Sequence, residues 1–227
     1  MRTLRVLLIG SAGRMGKTII DVAKRDPHIE IVAQCDVGDA IAPVIKNCDM
    51  VVDFSSAEAV EEICRAVLEH RQPLVIGTTA HSATQHALIE KTALSVPIVF
   101  ASNFSVGVNA LFWLTRKTAE LLGPEFDLEI IEKHHQMKKD APSGTAKTLA
   151  EILKQARKLQ SPIPTQSIRE GDVVGDHTVL FTGTGEKLEL THRASSRETF
   201  AKGALHAARW VVDKPPGLYT MQDVLGL

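Results

Sequence analysis

A short apolar run that leads into a glycine-rich turn limits the folds open to this chain more than any other feature. Val6–Ile9 are four consecutive apolar residues, the pattern of a strand covered on both faces of a parallel sheet. Glycines follow at 10, 13 and 16, apolar residues then recur at helical spacing up to Arg25, and a second apolar run covers 29–35. A strand, a helix and a strand within about thirty residues predict a β-α-β unit.

The alternation of strands and helices continues as far as residue 100. We predict strands at 50–54, 74–76 and 98–100, and helices at 57–69 and 82–94. Strands that alternate with helices indicate an α/β fold, here a Rossmann-type doubly wound parallel sheet. Ligands of such sheets bind at the carboxyl ends of the strands.

The pattern changes after about residue 105. Long helices are predicted at 108–122 and 143–159, and strand-like runs at 126–131, 165–174, 177–183 and 187–193. Turn-forming residues at 175–176 and 184–186 separate the last three runs and favour hairpins. We therefore expect a second α+β domain with a mixed or antiparallel sheet over 106–194. The first domain is expected to consist of 1–105 and 195–227, with a last helix at 198–212.

Composition excludes several classes of partner. The net charge is −1, so no general basic field would bind nucleic acid or an anionic membrane, and any anion site must be local. The apolar run near the N-terminus is far too short for a signal peptide or a membrane span. Cys35, Cys48 and Cys64 are scattered, which favours reduced thiols in the cytoplasm over disulfides or a zinc site.

The glycine-rich turn has the spacing G-x-x-G-x-x-G, a variant of the dinucleotide-binding motif. Asp36 ends the second predicted strand, where a carboxylate can hold the ribose hydroxyls of NAD. No arginine follows Asp36 directly, and its negative charge would repel a 2′-phosphate, so we predict NADH in preference to NADPH. A tight turn with incidental glycines is the alternative. The predicted cofactor contacts of this motif are Gly10, Ser11, Ala12, Gly13, Arg14, Met15 and Asp36.

Two later strand ends carry small and hydroxylated residues that can approach the nicotinamide ribose and carboxamide. These predicted contacts are Gly77, Thr78, Thr79, Ala101, Ser102, Asn103 and Phe104. On position alone, ordinary strand-end turns are the alternative.

The segment 132–146, E-K-H-H-Q-M-K-K-D-A-P-S-G-T-A, places basic side chains just ahead of a predicted helix. Reduction of a conjugated imine needs a hydride and then a proton on the resulting enamine carbon. Lys138 is a suitable acid if neighbouring cations lower its pKa, and His134 can share proton delivery. The two residues are four apart, so a helical conformation would place them on one face.

Ser143 is a natural N-cap, and the first-turn N–H groups of Gly144 and Thr145 can bind a carboxylate. A solvated basic loop before a capped helix is the alternative. A metal site at His134 and His135 is disfavoured, because adjacent histidines point apart in extended chain and no third ligand stands at metal-site spacing. The remaining histidines, which include His177, are interpreted as surface or structural residues.

Segment 132–146 resembles the signature E-x-H-H-x-x-K-x-D-A-P-S-G-T-A of the 4-hydroxy-tetrahydrodipicolinate reductase (dihydrodipicolinate reductase) family. Further matches are G-S-A-G-R-M-G from Gly10, D-F-S from Asp53, G-T-T from Gly77, N-F-S-V-G-V-N from Asn103, H-R-A-S-S-R-x-x-F-A-x-G-A from His192 and G-L-Y-x-M-x-D-V-L from Gly217. The resemblance therefore spans nearly the whole chain.

The resemblance implies NAD(P)H-dependent reduction of 4-hydroxy-tetrahydrodipicolinate, a small dicarboxylate, to tetrahydrodipicolinate in lysine and diaminopimelate biosynthesis. It implies that His134 is a proton donor and acceptor and Lys138 a proton donor. His135, Gly144 and Thr145 would contact the substrate. It further implies that the first domain binds the dinucleotide and that a homotetramer assembles through the sheet of the second. Two functions compete: another two-domain NAD-dependent dehydrogenase, and a non-catalytic NAD-sensing module.

The chain departs from the family between Asp36 and Asp53. It has only 16 residues there, where many members carry an extra strand and helix, so the adenine side of the cofactor site is expected to differ. Members often have an acidic-basic pair after the second strand, whereas Val37 follows Asp36 in this chain, which argues against NADPH.

Overall fold

The computed structural model describes residues 2–227, which divide into two compact units. The first unit contains the residues up to Ser105 together with Glu198–Gly226, and the second contains Val106–Arg197 with Leu227. Each unit has its own sheet and its own hydrophobic core.

Six parallel strands form the sheet of the first unit. They are β1 (Leu4–Ile9), β2 (Ile29–Cys35), β3 (Met50–Asp53), β4 (Leu74–Ile76), β5 (Pro97–Phe100) and, after four strands of the second unit, β10 (Gly217–Tyr219). Their order is β10-β5-β4-β3-β1-β2. The central strands are apolar along their length because both faces are covered, and Val6, Leu7 and Leu8 are fully buried.

Helices lie on both faces of this sheet. They are α1 (Arg14–Ala23), α2 (Ala42–Ile45), a 3₁₀ turn (Ala57–Ala59), α3 (Val60–His70), α4 (Ala83–Ala93), α7 (Glu198–Val211) and α8 (Met221–Leu225). Residues of α1, α7 and α8 share one core with the sheet, and residues of α2, α3 and α4 share the other. The predicted doubly wound parallel sheet is confirmed.

The second unit contains a four-stranded sheet and two helices. Its elements are α5 (Val106–Leu121), β6 (Asp127–His134), α6 (Gly144–Arg157), β7 (Thr165–Arg169), β8 (Gly175–Gly183) and β9 (Glu186–Ala194). The strand order is β7-β6-β8-β9, with β7 parallel to β6 and the other pairs antiparallel. The predicted mixed sheet is therefore confirmed, and its core includes Ile130, Leu149 and Phe181.

Two local predictions for this sheet are wrong. Residues 175–176 do not form a hairpin turn, because Gly175 is the first residue of β8, and β7 pairs with β6 instead. Strand β6 does not end at 131 but continues to His134, because its last residues pair with Asp176 and Arg169 on the two neighbouring strands. The extra residues of β6 place the histidine motif at the end of a strand.

After α7 the chain adds one more strand to the first sheet, and the sequence pattern did not predict this strand. Strand β10 has only three residues and pairs in parallel with β5, so it carries too short a pattern to recognise. Within residues 2–227, none of the helices combines the length and the apolar character needed to cross a membrane.

Candidate active site

Strand β6 presents Glu132 and His134 on the same side of the second sheet. Side chains two residues apart in a strand share a face, and both residues are buried, with exposures of 0% and 8%. His135 follows the end of the strand, and its backbone N–H donates to the carbonyl of Val173. The helical conformation considered for this segment is therefore wrong, because pairing with two neighbouring strands keeps β6 extended through His134.

Glu132 forms a buried ion pair with Arg169, the last residue of β7. The guanidinium Nη2 lies 2.8 Å from Glu132 Oε1, and Nη1 lies 3.1 Å from Oε2. Burial by itself raises the pKa of Glu132, but hydrogen bonds from Arg169, Ser167 and His134 outweigh it and hold the pKa at about 2. Glu132 is therefore ionised at neutral pH, although its side chain is completely buried.

The ionised Glu132 fixes the orientation of the His134 ring. The Nδ1 atom of His134 contacts Glu132 Oε2 directly, and because an ionised carboxylate only accepts, Nδ1 donates its proton. Nε2 is then the nitrogen that can take up or release a proton. Burial lowers the pKa of His134, the bond to Glu132 raises it, and the charges of Lys138 and Arg169 lower it, so the pKa lies below its ordinary value.

His177 belongs to the same cluster, although its sequence context gave no sign of this. Its ring lies edge-on to that of His134 with centroids 5.1 Å apart, and its Nε2 is 3.1 Å from Ser143 Oγ. Burial, followed by the charge of His134, lowers the pKa of His177 to about 3, so this ring is neutral. The pairing of β6 with β8 places Glu132 opposite His177, and only that register reveals the contact.

The donor set of this cluster favours an ion pair with arginine over a metal centre. Glu132, His134 and His177 each offer one ligand atom, and these atoms lie within 4.8 Å of one another. Both carboxylate oxygens already accept from Arg169, and one also binds His134. A metal ion there would lie beside a guanidinium and compete with it for the same oxygens.

Lys138 lies on the loop that follows β6. Its Nζ atom is 2.8 Å from Asp140 Oδ1, and its side chain is 23% exposed. Arg169 binds the backbone of this loop. It donates from Nε to the Lys138 carbonyl at 3.3 Å and from Nη2 to the Asp140 carbonyl at 2.6 Å. Asp140 thus orients the lysine ammonium.

Helix α6 begins directly after this loop, with Ser143 as its N-cap. The Ser143 hydroxyl accepts from the N–H of Ala146 at 3.2 Å, and the Ser143 N–H donates to Glu132 at 3.3 Å. The cap therefore ties the first turn of α6 to the buried carboxylate of β6. Gly144 is exposed and has open space where a Cβ would stand, whereas Thr145 is buried. The first turn of a helix directs backbone N–H groups outward and favours anions.

In the first unit, the turn between β1 and α1 requires its glycines. Gly10 has a φ of +82°, and a Cβ there would lie 2.3 Å from the Phe54 carbonyl oxygen. A Cβ on Gly16 would lie 2.2 Å from the Gly10 carbonyl oxygen. Helix α1 starts after Gly13, and in the described chain neither a capping side chain nor a first-turn acid occupies its N-terminus. A pyrophosphate fits this helix end.

Asp36 lies immediately after β2 and is bound to the glycine-rich turn. Its Oδ2 accepts from Ser11 Oγ at 2.5 Å, and its two oxygens lie 3.0 and 3.1 Å from the Ala12 N–H. The carboxylate is therefore held at the carboxyl end of the sheet, beside the turn. Val37, the next residue, is 96% exposed.

The two later strand ends lie at the same edge of the first sheet. Thr78 is buried and Thr79 is exposed after β4, and a Cβ on Gly77 would lie 2.3 Å from the Phe54 ring. Phe104 follows β5 and is 2% exposed within the core, where its ring centroid is 5.6 Å from that of Phe54. Gly77 and the Phe104 side chain thus each have a packing role.

Comparison with protein families gives two matches that together cover almost all of the chain. Residues 4–104 match the family described as dihydrodipicolinate reductase, N-terminus, and residues 107–225 match dihydrodipicolinate reductase, C-terminus.

Individual relatives agree with these matches. The 4-hydroxy-tetrahydrodipicolinate reductase of Akkermansia muciniphila is 48% identical over 242 residues, which cover 99% of this chain and 98% of that protein. The reductase of the same name from Halorhodospira halophila is 40% identical over 266 residues, covering 99% and 100%. Both aligned lengths exceed the 227 residues of this chain, so both relatives carry additional residues.

Solved structures show the same fold. A dipicolinate-bound dihydrodipicolinate reductase from Paenisporosarcina sp. TG-14 superposes with a TM-score of 0.79 at 22% identity, covering 97% of this chain and 98% of that one. A DAP dehydrogenase from C. glutamicum gives a TM-score of 0.61 at 12% identity, covering 97% of this chain and 93% of that one. The architecture is therefore shared with dehydrogenases of other specificity.

Proposed function

Because the chain belongs to the dihydrodipicolinate reductase family, we propose that the buried cluster on β6 and the loop after it deliver the proton of this family's reaction. The protein is an oxidoreductase that reduces 4-hydroxy-tetrahydrodipicolinate to tetrahydrodipicolinate in lysine and diaminopimelate biosynthesis. It uses a nicotinamide cofactor. We propose the roles of the individual residues, the choice between NADH and NADPH, and the assembly of the subunits.

The observation that carries the proposal is the fixed orientation of His134. Its Nδ1 donates to the ionised Glu132, so Nε2 exchanges protons and the imidazolium that forms is stabilised by the adjacent carboxylate. Lys138, oriented by Asp140 at 2.8 Å, is the proton donor to the enamine carbon. His134 donates or accepts a proton at the same site.

The first turn of α6 binds the substrate in this proposal. A dicarboxylate is recognised by outward N–H groups and a favourable helix dipole, which Gly144 and Thr145 supply. His135 contributes a further contact from the end of β6. The open space at Gly144 supports this role, since no packing contact in the fold explains a glycine there.

The first unit holds the cofactor, which when bound supplies the hydride. The turn after β1 and the N-terminus of α1 bind the pyrophosphate, through Gly10, Ser11, Ala12, Gly13, Arg14 and Met15. Asp36 binds the adenosine ribose, and the residues after β4 and β5 line the nicotinamide side. We propose that NADH is preferred, because Asp36 is already fixed to the turn and its charge opposes a 2′-phosphate.

We also propose that the protein works in the cytoplasm as a homotetramer assembled through the sheet of the second unit. Cys35, Cys48 and Cys64 are buried and form no disulfide, which supports a reducing compartment. The resemblance to the family supports the assembly, and sedimentation equilibrium measures it directly.

The roles are tested by comparing Lys138→Ala with Lys139→Ala, an exposed neighbour of the same charge. Substrate is generated in the assay by the upstream condensing enzyme, and turnover is followed with NADH and with NADPH. Lys138→Ala is expected to lose about 100-fold or more in kcat, with NADH binding retained, while Lys139→Ala stays near wild type. Near-wild-type turnover by Lys138→Ala would refute its role as the acid. A lower KM for NADPH than for NADH would refute the cofactor preference.

A further inference from the structure

Arg169 uses every hydrogen-bond donor it has at the end of β7. A guanidinium carries five N–H groups. Two donate to the oxygens of Glu132, and a third donates to the carbonyl of Ile168 at 2.8 Å. The remaining two donate to the carbonyls of Lys138 and Asp140. The side chain is only 19% exposed, so these contacts replace water almost completely.

We propose that Arg169 is a positioning residue that holds both proton-transferring side chains, His134 and Lys138, through a single guanidinium. The inference rests on the proposed roles of those two residues. One edge of the guanidinium fixes Glu132, which in turn fixes the His134 ring. Two further donors bind the backbone carbonyls of Lys138 and Asp140. They hold the loop that carries both members of the Lys138–Asp140 ion pair, and so set where the Lys138 ammonium lies.

The strand register explains why an arginine can do this. Arg169 is the direct partner of His134 in the parallel pairing of β7 with β6, so its side chain starts beside the histidine and not at a distance. Both strands end at this level, and the Glu170 N–H donates to the His134 carbonyl at 2.9 Å. The guanidinium therefore spans the point where β6 leaves the sheet and the Lys138 loop begins.

Lysine cannot reproduce this arrangement. An ammonium offers three donors from one point, whereas the contacts of Arg169 require five donors in a planar fork. Arg169→Lys retains the positive charge beside Glu132 but must abandon the carbonyls of the loop or one carboxylate oxygen. Charge and geometry can therefore be separated by comparing Arg169→Lys with Arg169→Gln.

The charge of Arg169 also affects protonation of the histidine. The charged or titratable groups that face His134 are Glu132 on its own strand, Arg169 on β7, His177 on β8 and Lys138 on the loop. Glu132 favours the imidazolium, and the two cations oppose it. Removing the guanidinium raises the proton affinity of the Glu132–His134 pair, whichever member takes the proton. A limb of the pH–rate profile that reports this pair must then move to higher pH.

The experiment measures kcat against pH, NADH affinity and thermal unfolding for Arg169→Lys and Arg169→Gln. Arg157→Gln is the matched control, because Arg157 in the same unit also donates to backbone carbonyls, those of Ala119 and Gly123. His134→Gln identifies the limb of the profile that belongs to the histidine. For Arg169→Lys we expect kcat to fall about 10- to 100-fold, the cost of misplacing the reacting groups by up to about 1 Å. We expect NADH affinity to be unchanged and the limb to stay near its wild-type position. For Arg169→Gln we expect the same loss and a limb moved to higher pH.

Wild-type kcat in Arg169→Lys would overturn the inference, as would a stationary limb in folded Arg169→Gln. If both Arg169 variants only lose thermal stability, as Arg157→Gln is expected to, the residue is structural and the inference fails. Should Arg169→Gln not fold, the kcat of Arg169→Lys alone decides the positioning role. Failure of the proposed function is recognised separately, because His134→Gln and Lys138→Ala would then keep their turnover.

Discussion

The fixed position of the His134 ring can be tested by adding a single methyl group next to it. Gly175 is the first residue of β8, and a Cβ there would lie 3.0 Å from His134 Nε2, 3.3 Å from His134 Cδ2 and 3.7 Å from His177 Cε1. Ordinary van der Waals contact begins at 3.4 Å, so the His134 ring must move by a few tenths of an ångström. The ring cannot rotate freely to do so, because its Nδ1 is bound to Glu132.

The expected effect of Gly175→Ala follows from this overlap. Extra volume in a packed site costs about 1–3 kcal/mol, and the lower chain entropy of alanine in the unfolded state offsets about 0.4–1 kcal/mol of it. A net loss of up to about 2.5 kcal/mol in the free energy of unfolding is therefore expected. Because a 1 Å misplacement costs about 100-fold in rate, a shift of a few tenths of an ångström should lower kcat roughly tenfold.

Gly183→Ala is the matched control for this measurement. Gly183 is the last residue of the same strand, and its added Cβ would lie 2.7 Å from a ring atom of Phe126, at the opposite end of β8. Both variants should lose stability in thermal unfolding, but only Gly175→Ala should lose kcat and shift the NMR resonances of the His134 imidazole. Wild-type kcat together with unmoved His134 resonances in Gly175→Ala would show that the His134 ring is not fixed against β8.

Three further predictions concern pH, cofactor choice and the glycine-rich turn. Burial holds the folded-state pKa of His177 at about 3, so the unfolded chain takes up the proton first as the pH is lowered. The free energy of unfolding therefore decreases once the pH drops under 6.5, by about 2 kcal/mol at pH 5. His177→Phe should remove this loss of free energy of unfolding, which Trp113 fluorescence measures in a Trp210→Phe background. An unchanged slope of the free energy of unfolding against pH between 6.5 and 5 would contradict the prediction. Asp36→Ala should lower the ratio of kcat/KM for NADH to that for NADPH by about tenfold, the equivalent of 1.4 kcal/mol of lost repulsion, and a constant ratio would speak against the role of the carboxylate. Gly10→Ala should lower the free energy of unfolding of the first unit by roughly 2–4 kcal/mol, because φ is positive there and the added Cβ would clash with backbone. An unaltered urea-unfolding curve, followed by Trp210 fluorescence, would disprove this.

The sequence predicted most of the first unit correctly, because a β-α-β unit is encoded locally. Four apolar residues before a glycine turn are typical of a strand buried on both faces, and the turn favours glycine at Gly10, where φ is positive and a Cβ would meet the Phe54 backbone. The helix N-terminus at Ser143 was predictable for the same reason, since a cap acts on residues within its own turn. Strand β10 was missed, because three residues carry no periodicity.

The conformation and the contacts of the histidine motif depend on residues that are distant in the chain. Its residues were predicted from their order in the chain, but the helical conformation considered for them does not form, since β6 stays extended through His134 when β7 and β8 pair with it. His177 was interpreted as a surface or structural residue, and it lies buried, 3% exposed, against His134. No pattern within the motif indicates which distant residue will share its face of the sheet.

The fold class, the glycine turn, the capped helix and the family can be recognised from the order of the amino acids, since each depends on contacts within a few residues or on a long continuous motif. The charge and orientation of the groups in the site depend on contacts between distant strands. Glu132 and Arg169 are 37 positions apart, and Ser143 and His177 are 34 apart. Placing β7 beside β6 in parallel and β8 on its other side brought these groups into one buried cluster. There, removal from water makes charge and hydrogen bonding strong enough to fix one carboxylate as an anion and two imidazoles in place.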